Sequence, residues 1–241
     1  MLDAVARLAP QVDVLHLALN ECEHIPKSLS AFSNVNPFLT ESDIKDIGKF
    51  VPQPKDEECV ILVDDDLAYP TDYVSRSLDI CQEHDFDRNA FSYFALAWVF
   101  KKRFNKQAWR VFKFVHETKH LMGADLLGTG VTFIKGKNFP PYEYMENAIG
   151  YADIRFAKWL YEKGIRGWAL PKPQNYITST LSEELYQHSL FESFGKKTAA
   201  ELAGVERRRK KASMSDVAVF KGKSAHSGKR YSSFMRQKAK S

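Results

Sequence analysis

The sequence predicts an α/β fold in which a mostly parallel sheet is flanked by helices. Strand-like and helix-like patterns alternate along residues 2–163, and such alternation is typical of layered α/β proteins. The run Cys59–Val63 is continuously apolar between charged residues, as expected for a strand buried on both faces at the centre of a sheet. With 241 residues, of which 44% are hydrophobic, the chain is long enough to bury one sizeable core.

A helix and a strand are the first elements that the pattern predicts. Leu2–Leu8 carries apolar residues on one face, and Pro10 ends this helix. Val12–Leu19 is rich in branched residues and is predicted to be a strand that ends at Asn20. Residues 25–50 combine prolines, asparagines and a glycine with weak periodicity, so both helical turns and short strands are possible there.

Four further elements follow the strand Cys59–Val63. Thr71–His84 is predicted to be a helix, because its apolar residues fall on roughly one side. Phe91–Phe100 is too evenly apolar for periodicity to decide, and a strand is the favoured interpretation. Leu126–Ile134 is predicted to be a glycine-bearing turn that leads into a strand. Asp153–Lys163 has apolar residues at three- and four-residue spacing, which indicates an amphipathic helix.

Positive charge is concentrated at the C-terminal end. From Val205 onward, twelve Lys and Arg residues oppose only Glu206 and Asp216, while the whole chain has a formal net charge of +5. The preceding part is therefore acidic, and we divide the chain into a folded domain, residues 1–204, and a basic tail, residues 205–241. Because the tail is rich in Ser, Gly and Ala and poor in periodic apolar residues, it is predicted to be disordered.

The basic tail predicts a polyanionic partner. Near an anionic leaflet its cations, between residues 207 and 240, would contribute about 1 kcal/mol each, which favours reversible attachment to a membrane surface. Nucleic acid or another polyanion is the alternative partner, and a freely solvated chain end is the simplest interpretation. Sequence-specific recognition of nucleic acid is not expected, because a flexible tail offers no element that reads a groove.

Membrane-spanning and secreted proteins are not indicated by the sequence. The longest apolar runs fall below the roughly 20 residues of a spanning helix, and the residues after Met1 lack the features of a signal peptide. The cysteines Cys22, Cys59 and Cys81 are odd in number and show no CxxC spacing, which fits reduced thiols. We therefore expect a cytoplasmic protein, peripheral on the inner face of the membrane if the tail binds there.

Three consecutive aspartates, Asp64, Asp65 and Asp66, directly follow the predicted central strand. In open α/β sheets, ligands bind at the carboxyl ends of the strands. Adjacent carboxylates repel one another, and a bound divalent cation relieves this repulsion. Hard oxygen ligands suit Mn²⁺ or Mg²⁺, which commonly bind substrate phosphates as well. The alternative is that the three aspartates simply cap a strand in solvent.

Five segments, in chain order, resemble those of one enzyme family. They are Gln11–Asp13 with Leu17–Asn20, Asp46–Phe50, Ile61–Val74, Leu127–Gly130 and Tyr151–Ile154. The family is that of bacterial glycosyltransferases with the GT-A fold, related to the large family 2 of inverting enzymes. The resemblance implies a GT-A type, Rossmann-like fold with a mixed, mostly parallel sheet. It also implies inverting transfer of a sugar from a nucleotide-diphosphate donor to a hydroxyl group of a glycan or glycolipid acceptor, in the synthesis of surface polysaccharide or glycolipid.

The resemblance assigns the reacting groups to three aspartates. Asp66 is expected to be the direct metal ligand, with Asp64 as its partner through water or through the donor ribose. The metal would stabilise the charge that develops on the leaving phosphate. Asp153 is expected to be the base that takes the proton of the acceptor hydroxyl. From position alone, an ordinary carboxylate stabilised by the N-terminus of its helix is the favoured interpretation of Asp153, and only the resemblance favours a base.

The resemblance also implies a nucleotide side and an acceptor side of the site. The expected nucleotide-sugar-binding residues are Asn20, Asp46, Lys49 and Asp65. The turn Gly128–Thr129–Gly130 is expected to let the backbone approach the donor sugar or the acceptor, since glycine has no β-carbon. His188 is a candidate late metal ligand. The alternatives are a solvated loop lysine at Lys49, a tight turn before a strand at Gly128–Gly130, and an exposed helical histidine at His188.

One departure from the family pattern concerns the first strand. The family usually places a strand before the first helix, where the nucleotide base is bound, whereas Met1 already lies at the start of that helix. We expect unpaired backbone groups and a weaker base pocket as the consequence. The competing functions are therefore a catalytically inactive GT-A-like binding protein and a polyanion-binding protein that acts through its tail.

Overall fold

The computed structural model describes residues 1–101 and 106–181. These residues form a mixed α/β structure with a mixed sheet and helices, as the sequence predicts. The candidate ligand His188, the boundary at residue 204 and the tail, residues 205–241, lie outside the described residues.

The described residues contain four α-helices and twelve strands. The helices are α1 (Leu2–Leu8), α2 (Tyr73–Gln82), α3 (Tyr142–Met145) and α4 (Ala152–Glu162). The strands are β1 (Leu15–Leu19), β2 (Val35–Leu39), β3 (Cys59–Val63), β4 (Leu67–Ala68), β5 (Asn89–Ser92), β6 (Ala95–Lys101), β7 (Lys106–Phe112), β8 (Met122–Ala124), β9 (Leu126–Leu127), β10 (Val131–Lys135), β11 (Arg166–Ala169) and β12 (Thr178–Ser179). A 3₁₀ helix, Lys45–Phe50, precedes β3.

The largest sheet has the strand order β3-β10-β5-β11-β8. Only β5 and β11 pair in parallel, whereas β3 with β10, β10 with β5, and β11 with β8 are antiparallel. The prediction of a mostly parallel sheet is therefore wrong for the described residues. Each antiparallel pair of this sheet joins strands that lie far apart in the sequence, so their relative direction depends on how the intervening segments fold back. Hydrophobic periodicity carries no information about strand direction.

Strand β3 lies at the edge of this sheet and not at its centre. Leu62 is its one buried residue, and the other four residues are half-buried. The prediction that Cys59–Val63 is a central strand buried on both faces is thus wrong for the described residues. The strand nevertheless has the predicted bounds, Cys59–Val63. The sequence pattern therefore predicted the position of the strand in the chain correctly and its position in the sheet incorrectly.

Several of the remaining elements follow the sequence pattern, although the strand predicted over Val12–Leu19 forms only over Leu15–Leu19. Helix α1 has the predicted bounds, while α2 and α4 each lie within about two residues of theirs. The predicted strand Phe91–Phe100 is divided into β5 and β6, with Tyr93 and Phe94 between them. The weakly patterned residues 25–50 contain both a strand, β2, which pairs in parallel with β1, and 3₁₀ turns.

Two apolar layers cover the faces of the main sheet. One layer places α4 and the 3₁₀ helix Lys45–Phe50 against one face, with Phe50 and Phe156 fully buried. The other layer places α1 and α2 against the opposite face, where Tyr73 and Phe133 are fully buried and their ring centroids lie 5.2 Å apart. Successive strand residues supply the two layers alternately. β3 therefore lies between the layer that contains the 3₁₀ helix and α4, which carry Lys49 and Asp153, and the layer that contains α1 and α2.

Within the described parts of the chain, no helix has both the length and the apolar character needed to cross a membrane.

Candidate active site

Asp64 leaves the carboxyl end of β3 with its backbone fixed. Its N–H group donates to the carbonyl oxygen of Gly130, 3.2 Å away. The buried hydroxyl of Tyr69 lies 2.9 Å from the Gly130 carbonyl oxygen and 3.0 Å from that of Asp64. Burial, followed by the charge of Asp64, raises the pKa of Tyr69 well above its ordinary value. Tyr69 is thus a neutral hydroxyl that ties the aspartate turn to β10.

Lys49 places a positive charge beside Asp64. The 3₁₀ helix Lys45–Phe50 carries this lysine, and its Nζ forms an ion pair with Oδ1 of Asp64. The same nitrogen lies 3.4 Å from the carbonyl oxygen of Thr129. Burial acts most strongly on the pKa of Lys49 and would lower it, but the charges of Asp64, Asp153 and Asp46 together raise it. Lys49 therefore remains a cation and is not the solvated loop lysine of the alternative interpretation.

Asp153 lies in the first turn of α4 and is held by Thr129. The backbone N–H and the hydroxyl of Thr129 both donate to Oδ1 of Asp153, at 2.8 and 2.7 Å. Burial raises the pKa of Asp153, and these two hydrogen bonds partly oppose the rise. The carboxyl group is thereby fixed in position with a greater affinity for a proton than an exposed aspartate has.

The two glycines of the Gly128–Gly130 turn make room for neighbouring side chains. A β-carbon on Gly130 would lie 1.8 Å from Oδ2 of Asp64. A β-carbon on Gly128 would lie 2.5 Å from the ring of Phe94. In this structure the missing β-carbons therefore admit the Asp64 carboxylate and the Phe94 ring, and Gly130 defines where that carboxylate can lie.

Two of the expected nucleotide-side residues connect segments of the fold. Asp46 accepts hydrogen bonds from the N–H groups of Gly150 and Ala152, at 2.8 and 3.3 Å, and so joins the 3₁₀ helix to the start of α4. Asn20 donates to the carbonyl oxygen of Lys45 at 3.2 Å and accepts from Thr40 at 3.0 Å. Both side chains therefore use their polar atoms within the protein.

Asp65 and Asp66 differ in their surroundings. The side chain of Asp65 is 68% exposed, with its carboxylate 3.7 Å from the amino group of Met1. Asp66 is half-buried, and burial, followed by the charges of Asp64 and Asp65, raises its pKa. Lys49 compensates the charge of Asp66 only in part, because burial and the two neighbouring aspartates outweigh it, and a bound cation would add to this compensation.

The carboxylates suit a hard divalent cation, although the described residues do not complete its coordination. Among the described residues, no group of three or more His, Cys, Asp and Glu side chains is arranged to hold a metal ion. Asp64 and Asp66 offer oxygen ligands, and the pocket made by Gly130 receives one of these oxygens. Mg²⁺ and Mn²⁺ are usually bound by one or two carboxylates together with water and substrate phosphates. The residues therefore fit such an ion with a phosphate-bearing substrate as the partner.

A single cavity of about 1640 Å³ connects these groups. Its lining includes all three aspartates after β3, and also Lys49, Thr129 and Asp153. The structure thus places the candidate metal ligands and the candidate base on one surface. Sequence reasoning missed Tyr69, which lies within the segment Ile61–Val74 but was given no role there.

Comparison with known proteins leaves the family of this chain open. No protein-family model matches the sequence, and no curated protein matches it. The chemistry of the site is therefore what indicates a function.

Proposed function

We propose that this protein is a metal-dependent, inverting glycosyltransferase that moves a sugar from a nucleotide-diphosphate donor to a hydroxyl acceptor. One observation supports the proposal above the others. A series of contacts, Asp64–Lys49–Thr129–Asp153, joins the carboxylates suited to a metal with a half-buried carboxyl group suited to a base. Such a transfer needs these two functions on either side of one reacting carbon atom.

The leaving-group side of the reaction would be served by Asp64, Asp66 and Lys49. A bound Mn²⁺ or Mg²⁺ would neutralise the charge that develops on the diphosphate. Asp66 is the principal ligand that we propose, and Asp64 the second. Lys49 lies beside Asp64 as a fixed cation and would attract the donor phosphates. Asp65, exposed at the cavity wall, would contact the nucleotide.

The acceptor side would be served by Asp153. Both hydrogen bonds from Thr129 end on Oδ1, so Oδ2 is the oxygen that we assign to the acceptor hydroxyl. Its raised pKa improves its match to an alcohol proton, because a base close to the working pH transfers protons most efficiently. Attack from this side, opposite the leaving phosphate, would invert the configuration of the sugar.

The acceptor would be a surface polysaccharide or a glycolipid. If residues 207–240 attach the chain to an anionic leaflet, the folded domain, residues 1–204, would reach an acceptor at the inner face of the membrane. We include this peripheral cytoplasmic location in the proposal.

Donor hydrolysis tests the catalytic half of the proposal. With Mn²⁺ and a panel of nucleotide sugars, we expect slow release of nucleoside diphosphate, and Asp66→Ala should abolish it. Asp56→Ala is the matched control, because this carboxylate is exposed and lies outside the cavity lining. Asp153→Asn should keep donor binding and stop transfer to an acceptor. If no nucleotide sugar of the panel is bound or cleaved, the catalytic assignment is wrong.

A non-catalytic nucleotide-sugar-binding protein is the second candidate. The ion pair between Lys49 and Asp64 favours it, because a lysine already neutralises one of the two proposed metal ligands. This candidate predicts donor binding that does not depend on Mn²⁺ and is not followed by product release. Calorimetry with and without the metal ion distinguishes the two functions.

A further inference from the structure

The hairpin of β6 and β7 carries a positive charge that the rest of the folded domain does not share. Residues 95–116 contain six Lys and Arg residues and no Asp or Glu, whereas residues 1–204 as a whole are acidic. The six are Lys101, Lys102, Arg103, Lys106, Arg110 and Lys113. A local excess of one sign within a domain of the opposite sign indicates contact with a partner of complementary charge, here an anionic one.

The outer part of this hairpin lacks a supporting strand among the described residues. β6 pairs with β9 only at Ala95 and Leu96, and from Ala97 to Lys101 it pairs with β7 alone. Near the base, the N–H of Trp98 donates to Oδ2 of Asp125 at 2.6 Å. Because a two-stranded hairpin by itself is marginally stable in water, a surface that covers one of its faces would stabilise it.

One face of the hairpin continues the wall of the cavity. Side chains that stand opposite each other in an antiparallel pair lie on the same face. Leu96 and Val111 are such a pair, and both line the cavity. Trp98 and Trp109 are the next pair on this face, with ring centroids 4.9 Å apart. Val111 is 46% exposed and the two tryptophans are half-buried, so an apolar surface is accessible beside the cavity.

Positive side chains flank this apolar surface. Lys113, directly after β7, is exposed and lines the cavity as Val111 does. Arg110 is also exposed, and its guanidinium carbon lies 4.9 Å from the centre of the Phe112 ring. Tryptophans together with Lys and Arg are typical of segments at a membrane–water interface, where the indoles lie among the headgroups and the cations meet anionic lipid.

The packing of the two indoles favours a lipid surface over single-stranded nucleic acid. Nucleic-acid bases bind by stacking on open faces of aromatic rings. The rings of Trp98 and Trp109 instead pack edge to face, at an interplanar angle of 67°. The pair is therefore a compact apolar surface and not a flat platform, and it suits lipid headgroups and the adjoining acyl carbons.

The backbone limits how deeply the hairpin can enter a bilayer. β7 is the last strand of its sheet among the described residues, so its outer N–H and C=O groups need water as a partner. The hairpin therefore suits the headgroup region and not the hydrocarbon core. If about half of its cations reach an anionic leaflet, the dissociation constant is on the order of several millimolar. By itself the hairpin is too weak to hold the chain at the membrane.

We propose that the hairpin of β6 and β7 is a second membrane contact, which binds anionic lipid through its tryptophan face and its cations. The tail attaches the chain to the leaflet, and the hairpin sets the orientation of the folded domain. Because Leu96 and Val111 line the cavity, this orientation turns the cavity toward the leaflet. The contact rests on the membrane location proposed for the tail and is independent of the sugar-transfer chemistry.

Quenching of tryptophan fluorescence by lipid tests the contact directly. Vesicles of phosphatidylglycerol and phosphatidylcholine carry bromine near the headgroup end of the acyl chains. The full chain should lose fluorescence on binding. The tryptophan variant, Trp98→Phe with Trp109→Phe, should show little quenching, because Trp168 is buried and Trp159 donates to the carbonyl oxygen of Asn138 within the domain. Trp159→Phe is the matched control and should be quenched as the original chain is.

Charge reversal measures the contribution of the cations. In the full chain, the charge variant, Arg110→Glu with Lys113→Glu, should weaken binding to the same vesicles about 30-fold, the effect of losing two cations near an anionic leaflet. The control, Lys27→Glu with Lys163→Glu, changes the net charge equally at exposed residues outside the cavity lining and should weaken binding far less. All four side chains are exposed, so the fold should be kept.

Four outcomes would overturn the proposal. The first is equal quenching of the original chain and the tryptophan variant. The second is equal weakening by the two charge reversals, in which case the hairpin contact fails while the location proposed for the tail stands. The third is weaker binding of the charge variant to single-stranded poly(U) RNA with unchanged binding to vesicles, which would assign the hairpin to nucleic acid. The fourth is a full chain that leaves the vesicles unbound, which removes the membrane location as well but leaves the donor-hydrolysis test unaffected.

Discussion

At Asp153, burial and hydrogen bonding act on the same carboxyl group in opposite directions. Burial disfavours the charged form, whereas the two bonds from Thr129 favour it. The pKa of the proposed base is therefore adjusted by a neighbour that lies 24 positions away in the sequence. A substitution of Thr129 should therefore alter the pH dependence of the proposed sugar transfer while Asp153 itself is kept.

Thr129→Val should shift the pH profile of transfer toward higher pH. The substitution removes the hydroxyl donor but keeps the backbone N–H bond, so the charged form of Asp153 loses part of its stabilisation and its pKa rises. Because a base must be deprotonated, activity below the new pKa should fall. The pH dependence of kcat/KM measures the shift, and Thr129→Ser, which restores a hydroxyl, should retain the original profile.

At Gly130, the position of one carboxylate depends on the absence of a β-carbon. Gly130→Ala places that carbon 1.8 Å from Oδ2 of Asp64, so the carboxylate must move. We expect a loss of about 1–3 kcal/mol in the free energy of unfolding, together with weaker Mn²⁺ binding. Titration with Mn²⁺ and thermal unfolding measure the two effects.

Gly164→Ala is the control for the Gly130 substitution. Gly164 has a positive φ of 68° and nothing near its missing β-carbon, so alanine there costs about 1–2 kcal/mol through backbone strain alone. Stability should fall without any change in Mn²⁺ binding. Equal Mn²⁺ affinity in both variants would show that Gly130 does not position Asp64.

At the scale of elements, Asp46 joins the 3₁₀ helix that carries Lys49 to the helix that carries Asp153. Asp46→Ala leaves the N–H groups of Gly150 and Ala152 without this acceptor. We expect the free energy of unfolding to fall by about 1–3 kcal/mol, the cost of leaving such donors unsatisfied. Denaturant unfolding gives the value.

Asp43, which lies just before the 3₁₀ helix Lys45–Phe50, provides the comparison for Asp46. Asp43 is exposed and accepts one bond, from the N–H of Lys45 at 3.0 Å. Since water can take the place of the Asp43 carboxylate as acceptor for this N–H group, Asp43→Ala should lower the free energy of unfolding by about 1 kcal/mol or less. If the two substitutions cost the same, the contact between the 3₁₀ helix and α4 does not hold these elements together.

At the scale of the whole molecule, the charges of the two parts of the chain are opposite. The part before residue 205 is acidic, and Asp64, Asp65, Asp66 and Asp153 line its cavity, whereas the tail carries twelve basic residues. If about half of these approached an anionic leaflet, the gain of about 6 kcal/mol would correspond to a dissociation constant on the order of tens of micromolar. Attachment of this strength is reversible.

Binding to vesicles checks this expectation. The full chain should bind vesicles that contain anionic lipid, and the binding should weaken as salt is added, because added ions screen the attraction. A chain without residues 205–241 should not bind. Vesicles of neutral lipid are the control, and stronger binding to duplex DNA than to anionic vesicles would favour the polyanion alternative.

Local patterns were sufficient to predict most elements and several neighbours of the site. The helices α1, α2 and α4 and the strand β3 were predicted within about two residues, because periodicity and turn residues act over short stretches of chain. The pattern also identified Lys49, Thr129 and Asp153 through the resemblance. It did not predict the bond between Asp46 and Gly150, whose partners lie 104 positions apart.

The sequence by itself determined the positions of α1, α2, α4 and β3, which residues are acidic, and that three aspartates follow an apolar strand. Only the tertiary structure decided that β10 runs antiparallel to β3, that β3 lies at the edge of the main sheet of the described residues, and that Lys49 and Thr129 lie between Asp64 and Asp153. The physical reason is that propensity and burial pattern are properties of neighbouring residues. Strand direction, sheet order and side-chain pairing depend on which distant segments meet when the core closes.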